Sequence, residues 1–477
     1  MFYDLSRFHI LVLFAWQFTV FFINQLIFPI FSNYVPQWQC GDGPIGKDCS
    51  EYERCAGNVT FIGATFKSAA LEYGFICGPQ AYYGSLFSQA QFGGVLLGTF
   101  LFGTLSDFFG RRPISILTLT VGIVMNCLTG LAPSLPILLL IRFIMGLCIG
   151  GSSVVVITYS MEMILPKQRI ILRAVVNCGI ARIMITGICY FFPDWRTASM
   201  VCSLATVPAL LIIVIFFPES PTWLHNKGKF EAREKSEKYI ARICGTEYFP
   251  IEHKKSHKAK NFCQVIRTKG LFKRLLVLWT MWFTTCLTGY AIDFNSSNLS
   301  GDLYVNQVLF GVLIVASKMI LLLVDSTFPK FNRRHLHQGA QLVIILCFLV
   351  LTVLTIKGYQ GIFSLIINLI GTMFIEYTWD ACYLCAIESM ETSCRSSATG
   401  SCSLIARIGA LIAPVLNFLN TQWPPAVYFT VMAMGTVSLL VSYFFLVETK
   451  TVPLEKVQMT DSITDPLEQP ANSDQKT

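Results

Sequence analysis

Charge is scarce in this chain: Asp, Glu, Lys and Arg together make up 13% of its 477 residues. A soluble domain carries about a quarter, so the shortage excludes a globular protein with a fully solvated surface. No Gly-x-x-x-x-Gly-Lys-Ser/Thr phosphate loop occurs, which removes ATP hydrolysis through that motif as an energy source. No grouping of nucleophile, base and acid stands outside the apolar segments, so an enzyme is not expected. Nothing in the pattern calls for a cofactor or a metal. The first apolar stretch is not followed by a small-residue cleavage site, so Met1 to Phe31 reads as a first span and not a removable signal.

Apolar length is what the chain has in abundance. Hydrophobic residues make up 53% of it, and apolar runs recur that are each long enough to cross a hydrocarbon core of roughly 30 Å. The pattern predicts twelve spans, at 8–31, 86–106, 113–132, 136–158, 171–192, 196–217, 271–292, 305–325, 339–356, 360–386, 398–418 and 424–447. In lipid every backbone amide must be bonded internally, and runs of this length satisfy that as helices. The expected fold class is therefore an all-α membrane protein.

Basic loops stay on the cytoplasmic side, and here they follow the even-numbered spans: Arg111 and Arg112, then Lys167, Arg169 and Arg173, then 218–270, then Lys330, Arg333 and Arg334. The loop at 32–85 holds three basic residues against five acidic ones. Both termini are thus expected in the cytoplasm, and the net charge of +8 reflects topology, with no nucleic-acid partner expected. Glycosylation sequons at Asn58, Asn295 and Asn298 all fall in loops assigned outside. Cys40, Cys49, Cys55 and Cys77 share the first external loop, where an oxidising compartment and an even count predict two disulfides with three possible connectivities. The predicted organisation is a six-helix bundle over 1–217 with the external loop 32–85, a linker at 218–270, a second bundle over 271–448 and a polar tail at 449–477.

Two spans meet at Gly103-Thr-Leu-Ser-Asp107-Phe-Phe-Gly110-Arg111-Arg112-Pro113, a loop that needs glycine to turn and charges that find partners at the membrane surface. It resembles the cytoplasmic gating loop of major facilitator superfamily transporters, with Phe108 where that family often carries a basic residue. Charged elements recur in both halves. Glu162 and Arg169 are seven apart after span 4, and Glu388 and Arg395 are seven apart after span 10. Asp325, Asn332, Arg333 and Arg334 form a degenerate copy of the gating loop after span 8. Glu219 follows span 6 and Glu448 follows span 12. The repetition marks a duplicated fold whose charged ends are gate parts, pairing when the inner cavity closes.

Several local patterns narrow the superfamily. Pro218-Glu219-Ser220-Pro221-Thr222-Trp223-Leu224, Pro193-Asp194-Trp195-Arg196, Ser300-Gly301-Asp302-Leu303-Tyr304 and Glu448-Thr449-Lys450 resemble elements of the solute-carrier organic anion and cation transporter family. Thr222 replaces an arginine, and the external loop is shorter than that family's. The resemblance implies two pseudo-symmetric six-helix bundles that exchange organic ions across the plasma membrane by alternating access.

Ionisable residues inside spans are costly and are functional candidates by default. Lys318 lies in span 8, Arg407 in span 11, and Glu376 and Asp380 in span 10, four apart on one helix face. Lys318 and Arg407 match basic residues around the cavity of organic anion transporters, so the resemblance implies an anion, its carboxylate held by a guanidinium. Glu376 and Asp380 could neutralise Lys318 and Arg407, or one could hold a substrate cation. Trp379, Tyr383 and Tyr290 match the family's cavity aromatics. Arg142 resembles a superfamily element of span 4 with a structural part, and Arg182 in span 5 has no assigned role. Organic anion transport, with an intracellular dicarboxylate as the exchanged partner, is the expected function. A carnitine-like zwitterion or an organic cation is the alternative cargo, and a non-transporting ligand sensor is the alternative class.

Overall fold

The structure is a computed structural model that describes residues 7–43, 45–46, 49–55, 58–164, 176–245, 248, 269–327, 332–359, 361–390 and 395–446. Of the predicted gate residues, Arg169 and Glu448 lie outside these residues, as do the side chains of Asp325, Glu388 and Arg395. The predicted tail lies outside them too.

Twelve apolar helices run in chain order among the described residues: α1 Arg7–Ile23, α2 Ala81–Phe109, α3 Arg111–Leu131, α4 Leu135–Glu162, α5 Cys178–Phe191, α6 Trp195–Phe216, α7 Lys269–Asn295, α8 Leu303–Thr327, α9 Arg333–Ile356, α10 Ile362–Glu388, α11 Arg395–Gln422 and α12 Ala426–Phe445. Eleven of these segments are long and apolar enough to cross a bilayer, and α5 is a shorter apolar helix of 14 residues. The span expected at 171–192 is thus described only from Cys178, where the Asn177 side chain caps the helix by accepting from the N–H groups of Gly179 and Ile180. Residues 171–175 lie outside the described set. Helices α2, α7 and α11 run past their predicted ends, to 29, 27 and 28 residues, because the polar residues at their tips continue the hydrogen-bond ladder.

Large apolar side chains such as Leu97, Phe100, Leu211 and Phe444 point outward and are exposed, as a surface bathed in lipid requires. Lipid gives little hydrophobic drive for helix association, so close packing must come from small residues. Gly94 and Gly98 on α2 face Gly146 and Gly150 on α4. A Cβ on Gly98 would stand 2.1 Å from the Leu147 carbonyl oxygen, and one on Gly146 2.0 Å from that of Gln91. Two glycine pairs, each four apart, therefore let these backbones touch.

Between α1 and α2 the chain forms a small domain. Strands β1 (Gln37–Cys40) and β2 (Val59–Ile62) pair antiparallel, with Trp38 opposite Phe61. Disulfides join Cys40 to Cys55 and Cys49 to Cys77. Trp38 is 1% exposed and meets the Tyr52 ring edge-on at 5.2 Å. This loop marks one end of the molecule. At the other end, after α6, short helices Pro221–Asn226 and Phe230–Cys244 cover part of the predicted linker.

The first and last six helices meet from the loop end to the centre. Ser85 donates to the Pro414 carbonyl at 2.7 Å, and the rings of Tyr82 and Phe418 lie 5.5 Å apart. A cavity of about 1060 Å³ opens beneath the loop between the halves, walled by Asn33, Trp38, Ser88, Phe294, Asp302 and Asn417.

Candidate functional site

Three of the four charges singled out for the substrate site come together. On α10, Glu376, Trp379, Asp380 and Tyr383 follow the i, i+3, i+4, i+7 rule and share a face. Lys318 on α8 meets that face: its Nζ lies 2.9 Å from Glu376 Oε2 and 2.8 Å from Asp380 Oδ2. All three side chains are 18–26% exposed. One ammonium therefore faces two carboxylates.

Arg407 on α11 stands apart. Both carboxylates that could have balanced it are committed to Lys318, and no ion pair to Arg407 is found among the described residues. Its contact with a polar side chain is a long approach of 3.4 Å to Ser153 Oγ on α4, across the seam between the halves. The half-buried guanidinium thus retains donors for an anion. Close packing sets its height: two residues on, a Cβ at Gly409 would lie 2.7 Å from the Phe283 carbonyl of α7.

Aromatic rings line the α10 face. Tyr383 and Trp379 pack edge-on against Trp282 of α7, at 4.5 and 5.9 Å between ring centres. Tyr290 on α7 lies elsewhere, edge-on to Phe92 of α2 at 4.8 Å and stacked on Phe294 at 6.2 Å. Phe294 is in the wall of the loop-side cavity while Tyr290 is not. Sequence reasoning missed Trp282, an aromatic inside an apolar span with no charge beside it to mark it.

The predicted gate residues of the first half form one cluster. Arg111 pairs with Asp107 at 2.8 Å and approaches Glu162 at 3.7 Å. Glu162 accepts from Ser220 at 2.5 Å, and Glu219 accepts from the backbone N–H of Arg111 and Arg112 at 2.9 and 3.1 Å. A carboxylate thus caps the α3 N-terminus, where the helix dipole favours negative charge. Gly110 takes φ 111° in the turn before it. Among the described residues these contacts tie α2, α3, α4 and the segment after α6 to one another. Arg112 donates to the Val214 carbonyl near the end of α6 at 2.8 Å, and Arg334 donates to the Tyr443 carbonyl near the end of α12 at 2.6 Å. The repeat is physical: the same arginine brackets the same pair of helices in each half. Arg333 beside it is buried.

Two intramembrane arginines had no assigned partners. Arg142 is fully buried, with its guanidinium 4.3 Å from the Phe87 ring centre. Arg182 pairs with Asp293 at 2.7 Å, a carboxylate that a span ending at 292 had left in the loop. Of the sequons, Asn58 and Asn298 are exposed. Asn295 is 2% exposed and its carboxamide oxygen accepts from Asn298 and Asn420, so a glycan has no room on it.

A family model described as sugar (and other) transporter matches residues 49–460. An uncharacterized protein of Caenorhabditis elegans is 36% identical, over 95% of this chain and 94% of its own length. Solute carrier family 22 member 15 of Xenopus tropicalis is 29% identical, over 83% of this chain and 76% of that protein. An organic cation transporter-like protein of Drosophila melanogaster is 27% identical, over 80% and 71%. Among solved structures, the xylose transporter of E. coli in a partially occluded inward-open conformation superposes with a TM-score of 0.64 at 15% identity, covering 93% of this chain and 99% of that one. At that identity the likeness shows the fold, that of the major facilitator transporters.

Proposed function

We propose that this chain, which belongs to the sugar (and other) transporter family, carries small organic ions bearing an anionic group across the plasma membrane by alternating access. It is a multi-pass membrane transporter and not an enzyme. The cargo's charge, the membrane and the orientation, with both termini in the cytoplasm and the disulfide loop outside, are our reading.

The observation that carries it is the isolation of Arg407. A guanidinium half-removed from water, with no carboxylate partner among the described residues, binds a carboxylate or sulfate through paired hydrogen bonds that strengthen as water leaves. Trp379, Tyr383 and Trp282 would cover the apolar body of such a solute. An intracellular dicarboxylate would suit the same guanidinium on the return step. The two proposed bundles, 1–217 and 271–448, would rock about this centre, joined through 218–270.

A second reading rests on the triad. A substrate's cationic end would compete with Lys318 for Glu376 and Asp380, with Arg407 taking its anionic end. Such a cargo is a zwitterion.

The test is uptake of labelled p-aminohippurate, tetraethylammonium and carnitine into oocytes expressing the chain or its Arg407→Ala variant. Saturable p-aminohippurate uptake that is lost in the variant supports the anion reading. Carnitine uptake lost in both Arg407→Ala and Asp380→Asn selects the zwitterion. Tetraethylammonium uptake indifferent to Arg407→Ala overturns both, and saturable uptake of any probe removes a sensor without transport.

A further inference from the structure

The Arg182–Asp293 pair has no part in the site above, yet it joins the two halves of the chain. Arg182 is on α5, while Asp293 and Gln307 are on α7 and α8. One terminal nitrogen of Arg182 lies 2.7 Å from Asp293 Oδ1, and Nε and the other terminal nitrogen reach Gln307 Oε1 at 3.0 and 2.8 Å. Gln307 Nε2 donates to Ser296 Oγ at 2.8 Å, and that hydroxyl donates to the Asp293 carbonyl at 2.5 Å. All three guanidinium nitrogens therefore find partners on the opposite half. The Arg182 side chain is 3% exposed. Around it the helices touch backbone to backbone, since a Cβ on Gly179 would stand 2.5 Å from the Gly311 carbonyl oxygen.

We infer that Arg182, Asp293 and Gln307 form a latch that holds the halves closed on the loop side of the site and gates access from the loop-side cavity. For a solute to pass from that cavity to the charged centre, α5 has to part from α7 and α8. Parting strips three hydrogen bonds from a guanidinium held at low dielectric, where its attraction to a carboxylate is strong. The charges around Arg111 do not serve this purpose, because their named partners lie within the first six helices. The Arg407–Ser153 approach, at 3.4 Å to a neutral hydroxyl, is too weak to substitute. The inference concerns access and not cargo, so it goes beyond the proposed substrate class.

A cysteine at Ser88, a cavity-wall position only 2% exposed, reports the opening. In purified protein in detergent, a charged methanethiosulfonate reagent is applied to Ser88→Cys, and the parent's own cysteines supply the background rate. Asp293→Asn, which keeps the shape and removes the charge, should raise the Ser88→Cys modification rate at least tenfold. Gln307→Glu places a second carboxylate on the same guanidinium and should slow modification severalfold. A rate within twofold of the parent in Asp293→Asn overturns the latch. If that variant does not fold, an unchanged or faster rate in Gln307→Glu overturns it instead. The readout is thiol accessibility, so a wrong assignment of cargo leaves this result untouched, and the reverse holds too.

Discussion

A Cβ placed on Gly110 would stand 2.5 Å from a carboxylate oxygen of Glu219, 109 residues further along the chain. That carboxylate bonds the first N–H groups of α3, and only a residue without a side chain lets it in. Gly110→Ala meets both the clash and a φ of 111°, a conformation costing roughly 1–3 kcal/mol for other residues. The thermal midpoint of the purified protein should drop by several degrees. Glu219→Gln keeps an acceptor oxygen but loses the charge at the helix N-terminus, so its drop should be smaller. Equal midpoints for Gly110→Ala and the parent would show that the turn does not depend on this approach.

The triad around Lys318 predicts an ordering of variants. Lys318→Ala leaves Glu376 and Asp380 facing each other in a poorly hydrated site. Removing one partner of a buried pair costs more than replacing the whole group with neutral residues. Folded yield of Lys318→Ala should therefore fall below that of the triple variant Lys318→Met, Glu376→Gln, Asp380→Asn. Size-exclusion profiles in detergent decide it, and a triple variant worse than the single would contradict the triad as the reason.

Much of this was legible from sequence, because the bilayer leaves few choices. Apolar length gave the helices, and the paired Glu376 and Asp380 were visible as an i, i+4 couple. The choice of partner was not legible: Lys318 and Arg407 are 89 residues apart, and nothing local says which of them takes the carboxylates. Asp293 was missed because a hydropathy boundary at 292 places it in water, whereas α7 continues to Asn295. The Gly110–Glu219 approach needs two distant segments to meet, a relation that periodicity does not encode. Asn177 hid the short start of α5, since a capping asparagine inside an apolar run does not interrupt hydropathy.

The loop domain carries a pH-sensitive tie. Glu72 bonds Arg196 at 2.6 Å and the Trp195 indole N–H at 2.8 Å. The hydrogen bond from Arg196 holds its carboxyl below the usual 4.5, against the opposing effect of burial. A carboxylate depressed in the folded state contributes stability that is present above its unfolded pKa and is lost as pH falls through the folded one. The thermal midpoint should therefore fall on acidification below about pH 4.5, and Glu72→Gln should flatten that limb while leaving lower stability at pH 7. An unchanged acid limb in Glu72→Gln would place the titration elsewhere.

The two disulfides interlock, since Cys49 lies inside the Cys40–Cys55 loop and Cys77 lies outside it. Each bridge restricts the open forms of the loop, by about 3 kcal/mol for spans of this size, which is a roughly hundredfold change in the open population. Arg54 is exposed on the short helix between them, but a protease needs several residues extended before it can cut there. Trypsin should cleave after Arg54 far faster in Cys40→Ser/Cys55→Ser than in the parent. Because the remaining bridge still closes part of the same loop, it masks some of the first removal, so removing the second pair as well should add more than the first removal did. Fragment yield on a reducing gel over time measures both steps. Equal effects from the two removals would mean that the bridges restrict independent segments, and that the β1–β2 hairpin does not couple them.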